Sequence, residues 1–136
     1  MSSIYDKDAD KAKEQLDKIS PSMCYAKWSQ VSMHLTNGMT HSCYHPPTHK
    51  VPLEELEKNV TALHNTEEKK EQRRKMLKGE RPDGCSYCWN IEDQGDRSDR
   101  VYRSGEYWAQ ESRQDIMDAG ASGNINPRYV EVNFNQ

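Results

Sequence analysis

Four cysteines carry the clearest chemical signal in this sequence: Cys24, Cys43, Cys85 and Cys88. Cys85-Ser86-Tyr87-Cys88 is a CxxC, a tight turn that lets two thiolates converge on one metal. Cys24 and Cys43 lie on either side of a run that contains Asn37-Gly38. Asn-Gly is the strongest short hairpin signal, and paired strands lie about 5 Å apart. The spacing thus predicts two locally assembled pairs that close one four-sulfur site. Four thiolates suit zinc or an iron–sulfur cluster equally well. A CxxC is also a redox motif, but a thioredoxin-like site needs a βαβ frame, and none surrounds Cys85. Unligated buried cysteines are the remaining alternative. His41, His45 and His49 stand at intervals of four around Cys43. They could replace a cysteine as ligands or donate hydrogen bonds to a bound group. Four thiolates already complete a tetrahedral set, so the plainer expectation is that they are polar strand and loop residues.

The elements that must position these thiols come from a lean chain. Of 136 residues, 33% are hydrophobic, against roughly 45–50% in a typical globular domain. The core must be small, and metal binding is expected to supply part of the folding free energy. Three Trp and seven Tyr exclude a fully disordered tail. A net charge of -3 gives no electrostatic footprint for nucleic acid. No apolar run approaches the ~20 residues of a membrane span. The start, MSSIYDKDADKAKEQL, has no apolar segment of the signal-peptide kind. A reducing, cytoplasmic location is expected, and there a cysteine set more often binds metal than forms disulfides. Asn59-Val60-Thr61 is then a chance match to the glycosylation sequon.

Residues 6–19 read as a polar helix with Ala9, Ala12, Leu16 and Ile19 on one narrow face. Trp28 to Thr36 reads as a strand, with Val31, Met33 and Leu35 alternating against Ser32 and His34. A return strand, MTHSCY, follows the Asn-Gly turn. Pro52–Asn59 reads as a short helix with Leu53 and Leu56 as its contacts. Asn65 or Thr66 caps a second helix, EEKKEQRRKML, which ends at Gly79. Its KKEQRRK run reads as a solvated face, with an RNA-binding patch as the lesser alternative. Glu92 to Arg103 reads as polar loop, residues 105–119 as one helix, and Gly120–Asn126 as a flexible link. Tyr129 to Phe134 alternates as a strand. The organisation expected is an α+β chain: residues 1–20 a polar helix, 21–95 a small irregular four-cysteine domain, and 96–136 helix, link and terminal strand.

Beyond spacing, Cys24-x13-Gly38-x4-Cys43, with Trp28 ahead of the turn, resembles the start of the SPASM/twitch auxiliary domain of radical SAM (S-adenosyl-L-methionine) enzymes. The order continues with the Pro-Leu-Glu-Glu-Leu helix, Asn65, the helix of Gln72-Arg73-Arg74-Lys75-Met76-Leu77, Gly79, and Cys85-Ser86-Tyr87-Cys88-Trp89 with Glu92 behind it. The likeness spans roughly Met23 to Asp93. It implies a [4Fe-4S] cluster held by Cys24, Cys43, Cys85 and Cys88, with zinc as the second choice. Tyr87 and Trp89 would shield the site or simply pack. The further cysteines of a full SPASM pattern are absent, as in the twitch form. The resemblance also implies that a terminal strand like Tyr129–Phe134 leads into a CxxxCxxC, yet no CxxxCxxC occurs in this sequence. It therefore carries over no SAM site and no catalytic residue. It implies a module that works with a radical SAM barrel on another chain or in a missing C-terminal half. The terminal strand is expected to pair with such a partner rather than within this chain.

Overall fold

The structure is a computed structural model that describes residues 4–43 and 48–134. His45 lies outside these residues. The described residues form a small α+β domain of eight α-helices and one mixed four-stranded sheet.

The first helix, α1 (Ile4–Ile19), forms where the sequence places it. It buries Ala9, Ala12 and Leu16 along one stripe, and two of those three positions are alanines, which let another helix approach closely. The short helix α2 (Tyr25–Ser29) takes residues read as the start of a strand. It is buried on every side, Trp28 included. Strand β1 (Gln30–His34) begins only after it.

A hairpin does join β1 to β2 (Met39–His41), but not through a two-residue type I′ turn. His34 pairs with Met39, which leaves Leu35 to Gly38 as a four-residue loop. Only Gly38 has positive φ, at 71°, and Asn37 instead accepts the Met39 N–H on its side chain at 3.0 Å. The return strand stops at His41, two residues before Cys43. The short β3 (His49–Lys50) extends the sheet on one side. Ser32, assigned by alternation to the solvent side of β1, is fully buried, while Leu35 is exposed.

Helix α3 (Leu53–Lys58) exposes Leu53 at 74%, so the apolar contact expected of it is not made. Helix α4 (Glu67–Leu77) starts at Thr66, whose hydroxyl accepts from the Lys69 N–H at 3.2 Å. Gly79, at φ 79°, follows its last turn. The expectation of a solvated basic face fails here: Lys69 is 2% exposed and Arg73 0%. Arg73 donates to Asn65 Oδ1 at 2.7 Å, the Gly123 carbonyl at 2.6 Å and the His64 carbonyl at 3.0 Å. Oxygen acceptors from distant segments thus replace water around the charge.

A 3-10 turn at Asp83–Cys85 leads into α5 (Ser86–Asp93). Part of the stretch read as loop is helix α6 (Asp99–Ser104), capped by Ser98. The single helix expected over 105–119 is two: α7 (Tyr107–Glu111) and α8 (Arg113–Ala119), broken at Ser112. The residues expected to form a flexible link are pinned. Arg73 and Arg74 donate to carbonyls of Ala121, Ser122 and Gly123, and Asn65 bonds both the N–H and the carbonyl of Ile125.

Strand β4 (Tyr129–Asn133) forms as read, but its partner is this chain. It pairs parallel with β1, from Gln30 opposite Tyr129 to His34 opposite Asn133, giving the order β3-β2-β1-β4. The expected pairing with another protein is therefore corrected: the backbone groups of β1 need this partner, and the pinned segment before β4 delivers it. One buried cluster draws on all three sequence segments, from Ala9 and Leu16 through Trp28, Met76 and Trp89 to Ile116 and Ile125. No helix among the described residues is long and apolar enough to cross a membrane.

Candidate metal centre

The four cysteines, up to 64 residues apart in sequence, line one cavity. Cys24 is the N-cap of α2, and Cys85 is the N-cap of α5. Cys88 lies in the first turn of α5, and Cys43 follows β2. Cys24, Cys85 and Cys88 are buried, Cys43 is half-buried, and all four are free thiols.

Several contacts fix this arrangement. Ser20 and Ser22 donate through their hydroxyls to the Met76 carbonyl at the end of α4, which holds the approach to Cys24. Arg100 on α6 donates to the Met23 carbonyl at 2.7 Å, and the Tyr25 N–H donates to Ser104 at 3.1 Å. Arg100 also makes a two-pronged ion pair with Glu92 of α5, both contacts at 2.7 Å. Ser98 donates to the same carboxylate at 2.5 Å. Charge-assisted forks of this kind are among the stronger polar contacts, and this one ties α5 and α6 to the segment that carries Cys24. Trp89 lies between two guanidinium groups, Arg81 at 4.8 Å and Arg100 at 5.3 Å from its ring centre.

Electrostatics connect all four thiols. Burial pushes the Cys24 thiol up, and Cys43 adds to it. Burial pushes Cys85 up to about 12; the Lys27 charge opposes this, and Cys24, Cys43 and Cys88 reinforce it. Burial pushes Cys88 up to about 12, with Cys24 and Cys43 adding to it. Every one of the cysteine pairs is thus close enough for one thiolate to disfavour the next. Donors oppose that repulsion. The Lys27 N–H and the Ser104 hydroxyl act on Cys24, and the Arg100 N–H and the Ser98 hydroxyl act on Cys88. Such a set ionises together only when a cation supplies the compensating charge, so metal uptake would release protons.

Among the described residues, no group of three or more His, Cys, Asp or Glu side chains is gathered tightly enough for a metal ion. All four thiols line the cavity. Around one zinc, tetrahedral sulfurs stand about 3.8 Å apart. A cubane cluster carries its thiolates on separate irons and spreads them wider.

Among the described residues, His41 and His49 do not line the cavity. His41 donates from Nδ1 to the Cys43 carbonyl at 2.7 Å, and its Nε2 meets His34 at 3.1 Å. It positions the chain at Cys43 and does not line the cavity. His49 is engaged by Thr66 and Glu68. Trp89 lines the cavity, whereas Tyr87 is not among its lining residues and is 51% exposed. Sequence reasoning missed Lys27, Ser98, Arg100 and Ser104. The Ser98 cap ahead of α6 was the one local signal that could have found that helix.

Comparison of the chain with protein-family models, with curated proteins and with solved structures gives no match.

Proposed function

We propose that this chain is an auxiliary [4Fe-4S]-binding module of a radical SAM enzyme system, serving electron transfer or structural support, with the catalytic half outside this sequence. The observation that carries the reading is the convergence of Cys24, Cys43, Cys85 and Cys88 on one cavity. Four thiols on one cavity supply the donor set of a multi-iron group, and N–H and hydroxyl donors reach two of the sulfurs. The sequence resemblance supplies the enzyme system; the donor set supplies the chemistry.

When bound, such a group accepts and returns single electrons. The chain's own residues do the rest. Four cysteines satisfy every iron, so no open site remains for substrate or SAM. Trp89 and Met76 exclude water from the cavity wall. The Glu92–Arg100 pair keeps α5 and α6 in register around the sulfurs.

Purification under strict exclusion of oxygen tests this. The expected product is brown, with broad visible absorption, and does not cleave SAM reductively on its own. A colourless protein with stoichiometric zinc would replace the proposal with a zinc-stapled interaction domain.

A further inference from the structure

Lys27 is an anomaly of this fold. It is 2% exposed, in a helix that is buried on every side. Lys is almost never fully buried unless paired. Among the described residues, the Lys27 ammonium has neither a hydrogen bond nor an ion pair. Removing an ion from water is unfavourable when nothing compensates it.

Its position suggests what compensates it. Lys27 lines the cysteine cavity, and its charge is felt at Cys85. The other charged residues on that wall are Asp99, Arg100 and Arg103. Arg100 is matched by Glu92 and Arg103 by Glu106. Lys69, the other buried lysine, differs: Thr40 and two backbone carbonyls accept from it.

We propose that Lys27 is the built-in counter-charge of the bound group and sets its reduction potential. The inference rests on the reading of the site as a [4Fe-4S] centre. Four thiolates around an oxidised cluster core leave a double negative charge, and one electron from a low-potential donor makes it triple. A cation held in a dry wall attracts the more negative form more strongly. Lys27 therefore favours the reduced state, and acts without touching substrate or ligating iron.

The test is a redox titration of the reconstituted full chain, as wild type, Lys27→Met and Lys27→Arg, with iron content measured in each. Lys27→Met keeps length and apolar stem but removes the charge. The expected result is full iron content with the reduced-to-oxidised ratio at a fixed potential lowered about tenfold, equivalent to a downward shift of 59 mV for one electron, and restored by Lys27→Arg. An unchanged potential in iron-loaded Lys27→Met overturns the inference and leaves the cluster reading intact. If Lys27→Met fails to load, normal loading of Lys27→Arg supports the charge role, and equal failure of both overturns it. A wild type that takes up no iron brings down the cluster reading and the inference together.

Discussion

At the residue scale, the site combines thiols that resist ionisation with cations and donors that invite it. Arg100 joins Glu92, Met23 and the Trp89 ring in one contact set. The Glu92 carboxyl is held below the usual range even though burial alone would raise it; Arg100 and Ser98 outweigh that burial. Removing one partner of such a buried pair costs about 3–5 kcal/mol. Glu92→Gln should therefore lower unfolding free energy by about 3 kcal/mol in urea titration at neutral pH, and the loss should shrink only as acidification carries the folded carboxyl through its depressed titration range. A loss under 1 kcal/mol at neutral pH would show that the pair is not what locks α5 to α6. The cysteines themselves were legible because type and spacing alone mark them. Lys27 was not: its burial depends on α2, which the β-leaning run around Trp28 conceals.

At the element scale, α4 shows how a polar helix is buried. Burial pushes the Lys69 ammonium down to about 6, with Arg73 and Lys27 adding to it and Glu68 opposing. An unfolded lysine titrates near 10.4. Between these values the unfolded chain binds a proton that the folded chain does not, so stability rises with pH. With the folded group titrating near 6, the slope above pH ~6.5 approaches the one-proton limit of about 1.4 kcal/mol per pH unit. Between about pH 6.5 and 8, below the range where free thiols ionise, we expect a gain of about 2 kcal/mol. Lys69→Met should abolish it in urea unfolding of the metal-free chain; an equal slope in the variant would reject Lys69 as the source. The segment that α4 holds is equally specific. Gly123 has φ 71°, and a Cβ there would lie 3.1 Å from Lys70 Cα. Gly123→Ala should cost about 1–2 kcal/mol, read as a lowered melting temperature. The apolar stripe of α1 and the Thr66 cap were readable in the sequence because both are local patterns. The fates of Lys69, Arg73 and residues 120–126 were not, because their partners lie up to 60 residues away and no local pattern encodes a carbonyl cage.

At the scale of the whole molecule, β4 closes the fold. It joins β1 in parallel, which requires the chain to return through α3 to α8 between the two strands. Such a pairing is invisible to strand periodicity, which identified β4 but not its partner. Hydrogen exchange on the metal-loaded chain should find amides of the β1–β4 ladder protected. Exchange at the unprotected rate throughout 129–133 would return β4 to the role of a strand awaiting another protein. Met33, Leu35, Val130, Val132 and Phe134 alternate onto one face of this pair and keep substantial exposure. Nevertheless, the core clusters around the cysteine cavity rather than beneath the sheet, with Met23, Cys24, Met76, Cys85 and Trp89 in one group. The centre should thus govern both folding and function. The most direct measurement is iron and acid-labile sulfide per chain after anaerobic reconstitution, in wild type and in Cys24→Ala, Cys43→Ala, Cys85→Ala and Cys88→Ala. The account predicts about four irons and four sulfides in wild type, a spectrum unchanged by added SAM, and loss of most iron in every variant. One zinc and no sulfide in wild type, or full iron in any single-cysteine variant, would contradict it.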